Sequence, residues 1–108
     1  MTAEEILAQA AELVERPDGW CQHRLFDSNG RVCLLGALFV AGGMMSLQGR
    51  ATASFGDAVD ARLDARKAVD RELRSTDNYS LVDWNNAHGR TKEEVAATLR
   101  NAKRWLAP

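Results

Sequence analysis

The chain opens with apolar and acidic residues at the spacing of a helix, which predicts a first helix. Between residues 6 and 14 the apolar side chains recur every three or four positions, which places them on one face of a helix. Thr2 and Glu5 have the spacing of a capping box, in which a hydroxyl and a carboxylate each pair with a free amide at the helix start. A Pro-Asp-Gly sequence at residues 17–19 ends the pattern.

Residues 32–45 form the most apolar stretch and carry no charge. The stretch is too short to cross a bilayer, which takes about 20 apolar residues, so it predicts a central helix enclosed by other helices. Gly36 lies inside it and costs about 1 kcal/mol of helix propensity relative to alanine. We therefore expect a neighbouring backbone or aromatic ring to press against Gly36.

Residues 57–74 predict an outer helix with one solvent-exposed face. Valine and leucine, including Leu63, form a narrow apolar stripe flanked by alanine, and most other positions are charged. The alternative is that the stripe forms a narrow interface with a partner protein or with a second copy of the chain. After it, Tyr79, Leu81, Val82 and Trp84 are expected to return to the core as a short helix or turn.

A second capping box, Thr91 with Glu94, predicts the start of a last helix. Apolar residues from Val95 to Leu106 follow at helical spacing.

The turn sequence at residues 27–30 leaves two interpretations of residues 22–33, a minor β-hairpin or an irregular loop. Together the elements predict a single all-α domain over residues 1–108, a small bundle of about four helices.

Composition and charge narrow the function. Fourteen basic residues against fifteen acidic ones give a formal net charge of −1, which provides no general attraction to nucleic acid. No membrane span is expected, and the acidic first residues lack the basic region of a secretory signal. We expect a cytoplasmic protein in which Cys21 and Cys33 are thiols.

Cys21, His23, Cys33 and His88 supply the ligand types that zinc prefers. Their spacing lacks the close pairs of a structural zinc site, so we expect no metal and no cofactor. Cys33 near a helix start could also act as a nucleophile with His88, although burial would raise its pKa. A small metal- or thiol-dependent enzyme built on these four residues is therefore the rival hypothesis.

The C-terminal helix presents a local basic group. Arg100, Lys103 and Arg104 lie beside Trp105 and could contact nucleic acid. Cations at a helix C-terminus also compensate the helix dipole, and we favour that role. Trp20, Trp84 and Trp105 are expected to pin the core, with a hot spot at a partner surface as the alternative.

Three motifs stand out along the chain, and they are Trp20-Cys-Gln22, Cys33-Leu-Leu-Gly36-Ala37-Leu38 and Trp84-Asn85-Asn86, followed by Gly89-Arg90-Thr91 and Glu94-Val95. In these motifs the chain resembles a family of small uncharacterised proteins of actinobacteria and their phages. Asn86 departs from the aspartate that the family more often has there. The family is a domain of unknown function, so the resemblance implies one domain in a cytoplasmic phage or host setting and provides no catalytic residue to carry over.

The polar residues least explained by packing lie at residues 85–90, and we expect any site to be there. The candidates for partner binding are Asn85, Asn86, His88 and Arg90, together with Trp105. The leading hypothesis is a non-enzymatic protein-interaction module, a phage-type accessory or regulatory protein that acts on an unknown protein partner and could form a homodimer.

Overall fold

A computed structural model describes residues 1–51, 59–76 and 80–107 of the chain. Within these residues the fold is all-α, as predicted, and contains no β-strand. The helices are α1 (Ala3–Glu15), α2 (Leu34–Ala41), α3 (Val59–Thr76), α4 (Leu81–Asn85) and α5 (Lys92–Asn101), and a 3₁₀ turn over Ala102–Trp105 continues α5.

Both predicted capping boxes are confirmed. At the start of α1 the Glu5 amide donates to the Thr2 hydroxyl at 3.1 Å, and the Thr2 amide donates to the Glu5 carboxylate at 3.0 Å. Thr91 and Glu94 repeat the arrangement at α5, with distances of 3.2 and 3.0 Å. These reciprocal bonds satisfy amides that a helix start would otherwise leave unpaired.

The core forms where α1, α2, α3 and α5 pack together. α1 lies against the other three, and α2 also contacts α4. α2 ends at Ala41, earlier than the predicted residue 45, because Gly43 takes a left-handed conformation with φ of 77°. Met44 beyond it is 40% exposed, so its predicted place in the central helix is wrong.

α3 buries a shorter stripe than the pattern predicted. Ala65, Ala68, Val69 and Leu73 are enclosed, whereas Leu63 is half exposed. Within the described residues the fully buried face of α3 therefore begins at Ala65, and Ala61 packs against the core while partly buried. The predicted helix start at residue 57 and the predicted return of Tyr79 to the core lie outside the described residues.

Residues 20–33, here called the 20–33 loop, are irregular, so the β-hairpin interpretation is wrong. Val32 makes isolated bridges to Trp20 and Phe26 and no paired strands form. The Asp27 carboxylate accepts from the backbone amides of Asn29 and Arg31, which closes the predicted turn without requiring a ladder.

The close approach expected at Gly36 is present. A Cβ placed on Gly36 would lie 2.3 Å from the carbonyl oxygen of Leu25, and that oxygen also accepts from the Cys33 amide at 3.1 Å. Only glycine lets the loop backbone lie this close to α2.

Among the described residues, no helix is both long and apolar enough to cross a membrane.

Candidate functional site

Asn85, at the end of α4, is a buried hydrogen-bonding centre. Its Oδ1 accepts from the Trp20 indole at 2.7 Å and from the Leu34 amide at 3.1 Å. Its Nδ2 donates to the Cys21 carbonyl at 3.3 Å and to the Asn86 side chain at 3.2 Å. Asn85 is 1% exposed, so these bonds fasten the 20–33 loop and the start of α2 to α4.

Asn86 and Gln22 extend this contact toward the surface. The Asn86 Oδ1 accepts from the His23 amide at 2.7 Å. The Gln22 Nε2 donates to the carbonyls of Asn85 and Ala87, each at 3.0 Å. His23 has φ of 70°, a left-handed conformation that histidine adopts more readily than most residues and that the Asn86 bond holds in place.

A cleft of about 330 Å³ opens between this loop, α2 and α4. Leu25, Leu35 and Val82 give it apolar walls, and Val82 is 43% exposed. The prediction that Val82 is buried is therefore wrong, because Leu81, Trp84 and Asn85 take the core-facing positions of this short helix. The residues that line the cleft are His23, Arg24, Leu25, Cys33, Leu35, Val82, Asn85 and Asn86.

The two thiols lie in environments that suppress their reactivity. Cys33 is the N-cap of α2, and its Sγ accepts from the Gly36 amide at 3.3 Å. Burial raises the pKa of the Cys33 thiol, and that hydrogen bond opposes the rise only in part. Partial burial, reinforced by the nearby Cys33, raises the pKa of Cys21 to about 11. Both thiols are therefore protonated at neutral pH.

The four candidate metal ligands do not form one group. His23 and Cys33 line the cleft, whereas Cys21 and His88 do not. Nowhere in residues 1–51, 59–76 and 80–107 do three or more His, Cys, Asp or Glu side chains converge on a position for a metal ion. His88 is exposed, away from the lining of the cleft.

Arg90 connects the end of α4 to α5. Its guanidinium lies 3.9 Å from the centre of the Trp84 ring, and its Nε donates to the Trp84 carbonyl at 2.9 Å. Its Nη1 pairs with Glu94 at 3.0 Å, and only 13% of the Arg90 side chain is exposed. Contacts within the fold therefore occupy one face of the Arg90 guanidinium and two of its nitrogen atoms.

The C-terminal basic residues are paired with carboxylates. Arg100 binds Glu15 at 2.6 Å, and Lys103 binds Glu4 at 3.0 Å. Both acids belong to α1, so this surface is locally balanced rather than positive. The charges of Arg100 and Lys103 are therefore balanced within the fold.

Trp105 and Arg104 share a carboxylate on α3. The Trp105 indole and the Arg104 Nε each donate to Glu72 Oε1 at 2.9 Å, and Glu72 is 4% exposed. Arg71 lies 4.6 Å from the centre of the Trp105 ring. Trp105 is half-buried, Trp84 is fully buried and Trp20 is half-buried, in agreement with the expected core-pinning role.

Sequence reasoning missed three residues of this region. Arg24 and Leu25 line the cleft, and Gln22 fastens the 20–33 loop to α4. Gln22 is part of a motif that carried the family resemblance, but Arg24 has no local pattern that distinguishes it from other surface cations. Only the chain's path brings it beside Val82.

Comparison with protein families finds a match over nearly the whole chain. The sequence profile of a family of unknown function, DUF6197, matches residues 1–104. Neither the curated proteins nor the solved structures contain a match to this chain.

Proposed function

The chain belongs to DUF6197, a family of unknown function, and we propose that it is a non-enzymatic protein-interaction module. Its setting is that of a cytoplasmic, phage-type accessory or regulatory protein. One observation carries the proposal: the side-chain amide of Asn85 and the Oδ1 of Asn86 are used by bonds within the fold, while the cleft beside them keeps apolar walls open to solvent.

The cleft has the properties of a surface that receives a partner. Val82 is 43% exposed and stands on the helix that Asn85 ties to the core. An apolar side chain on such a fixed backbone can bury area against a partner at little cost in conformational entropy. Leu25 and Leu35 extend the apolar surface across the cleft.

A matched pair of variants tests this proposal. Val82→Glu and Leu63→Glu each place a carboxylate at an exposed apolar position of a helix, but only Val82 lines the cleft. The wild-type chain and both variants are immobilised and exposed to a lysate of the source cells. We expect wild type and Leu63→Glu to retain the same partner protein, and Val82→Glu to retain at least roughly tenfold less.

Both substitutions should leave folding nearly unchanged, because exposed positions usually shift stability by about 0.5 kcal/mol or less. Circular dichroism on each variant checks this. Failure of the wild-type chain to retain any protein would argue against an interaction module. Equal retention by wild type and Val82→Glu would show that the partner does not bind in the cleft.

A second candidate function, a small thiol-dependent enzyme, has one observation in its favour. His23 and Cys33 line the same cleft. However, no hydrogen bond joins their side chains in the described structure, and burial raises the pKa of the Cys33 thiol. Alkylation of Cys33 in the folded chain distinguishes the two functions, because a catalytic thiolate must react readily.

A further inference from the structure

The cleft combines apolar walls with one cationic edge. Leu25, Leu35 and Val82 form the walls, and Arg24 is the single residue with a permanent charge among those that line the cleft. Asp83 follows Val82 on α4 but is not part of the lining. The volume of about 330 Å³ lies at the low end of the roughly 300–1,000 Å³ typical of ligand sites. It suits one large apolar side chain better than an extended ligand.

Arg24 is exposed and, unlike Arg31 and Arg90, pairs with no carboxylate within the described structure. Arg31, on the same loop, pairs with Asp27, and Arg90 pairs with Glu94. Arg16 donates to backbone carbonyls. The exposed guanidinium of Arg24 therefore keeps its forked donors available, and these complement a carboxylate from another molecule.

The backbone that carries Arg24 is fixed on both sides. The preceding residue, His23, is held in its left-handed conformation by the 2.7 Å bond to Asn86. The following residue, Leu25, accepts from the Cys33 amide at the start of α2. Arg24 is thus presented at a defined place on the rim, which lowers the entropy cost of an ion pair there.

Building on the proposed function, we infer that the cleft binds an acidic peptide segment of the protein partner. One large apolar side chain of the segment enters between Leu35 and Val82. A neighbouring aspartate or glutamate of the segment pairs with the Arg24 guanidinium. The apolar anchor supplies most of the affinity, and the ion pair selects acidic sequences.

Affinity selection from a random heptapeptide library tests the chemistry of the occupant directly. The immobilised proteins are wild type, Arg24→Glu, Val82→Glu and the control Arg74→Glu, which reverses an exposed charge on α3 away from the cleft. Wild type and Arg74→Glu should enrich peptides that join leucine or phenylalanine to an acidic residue by at least about fivefold. Arg24→Glu should lose the acidic preference, and Val82→Glu should enrich neither feature.

A peptide synthesised from the enriched set provides the affinity. Its Kd should rise roughly tenfold on Arg24→Glu and should also rise with added salt, since an exposed ion pair is screened. The backbone amides of residues 24, 25, 35 and 82 should show the largest NMR shifts on binding.

Four results would overturn the inference. One is enrichment without acidic residues, and another is an unchanged acidic preference in Arg24→Glu. The third is a homodimer that Val82→Glu dissolves in light scattering, because a second copy would then occupy the cleft. If the partner captured from the lysate is lost with Val82→Glu but retained fully by Arg24→Glu, this inference fails and the proposed function stands. If acidic peptides bind through Arg24 but no protein is captured, the proposed function fails instead.

Discussion

The indole N–H of Trp20 donates to the Oδ1 of Asn85 at 2.7 Å, and this bond joins residues 65 positions apart. The same oxygen accepts from the Leu34 amide at the first turn of α2. One side chain therefore connects the 20–33 loop, α2 and α4. In the described part of the chain no buried side-chain nitrogen or oxygen is left without a partner, so this centre is fully satisfied.

Replacement of Asn85 by leucine should destabilise the fold. The Trp20 indole and the Leu34 amide would lose their acceptor, and buried donors without partners are costly. We expect the free energy of unfolding to fall by roughly 2–4 kcal/mol. Urea unfolding followed by tryptophan fluorescence measures this change.

Asn86→Asp is the matched control. Aspartate keeps an acceptor oxygen for the His23 amide and for the Asn85 side chain, so the loss should stay below about 1 kcal/mol. Similar losses for Asn85→Leu and Asn86→Asp would show that Asn85 is not the structural centre.

Gly36→Ala should destabilise the chain although alanine is the better helix former. The new Cβ would lie 2.3 Å from the Leu25 carbonyl oxygen, so the 20–33 loop would have to move away from α2. We expect a loss of about 2–3 kcal/mol, larger than the gain of about 1 kcal/mol in helix propensity. Thermal unfolding by circular dichroism measures the change.

Gly30→Ala serves as the comparison for Gly36→Ala. Gly30 has φ of 79° and nothing within 4 Å of an added Cβ, so its cost is conformational alone, about 1–2 kcal/mol. A smaller loss for Gly36→Ala than for Gly30→Ala would contradict the close approach.

Local signals predicted the parts of the fold that depend on neighbours in the chain. The hydroxyl of Thr2 and the carboxylate of Glu5 are three residues apart, so the capping box of α1 is visible in the sequence and is confirmed. The end of α2 at Ala41 was missed, since the pattern stayed apolar to Met45 while the conformation at Gly43 ended the helix.

The candidate site could be predicted only in part, because its contacts are remote in sequence. Asn85 and Asn86 were recognised as polar residues without a packing role, and both line the cleft. Their partners Trp20 and His23 lie more than 60 positions away, so no local spacing reveals which atoms pair. Val82 was predicted to be buried because it lies between the apolar residues Leu81 and Trp84. In so short a helix the sequence pattern does not show which apolar residue faces the solvent.

Thiol alkylation should proceed slowly in the folded chain. Burial raises the pKa of Cys21 to about 11, so the thiolate remains a small fraction at neutral pH. Its rate with iodoacetamide should still rise roughly tenfold per pH unit at pH 9.5, where an ordinary thiol with a pKa of about 8.5 has levelled off. Cys33 should react more slowly still, because it is buried and its Sγ caps α2.

Mass spectrometry of the Cys33→Ser and Cys21→Ser variants assigns each alkylation rate. In urea both sites should recover the rate of a free thiol. A Cys33 that reacts faster than glutathione in the folded chain would instead support the thiol enzyme.

Arg104→Ala should cost more stability than Arg100→Ala, although both remove an ion pair. Glu72 has a side chain only 5% exposed, so without Arg104 its buried carboxylate keeps fewer donors, among them the Trp105 indole. We expect a loss of about 1.5–3 kcal/mol for Arg104→Ala. The Arg100–Glu15 pair is 49% and 45% exposed, and its loss should stay below about 1 kcal/mol. Urea unfolding of both variants, at low and at 1 M salt, measures the two losses. An equal loss of unfolding free energy for the two variants would mean that the burial of Glu72 does not strengthen its ion pair with Arg104.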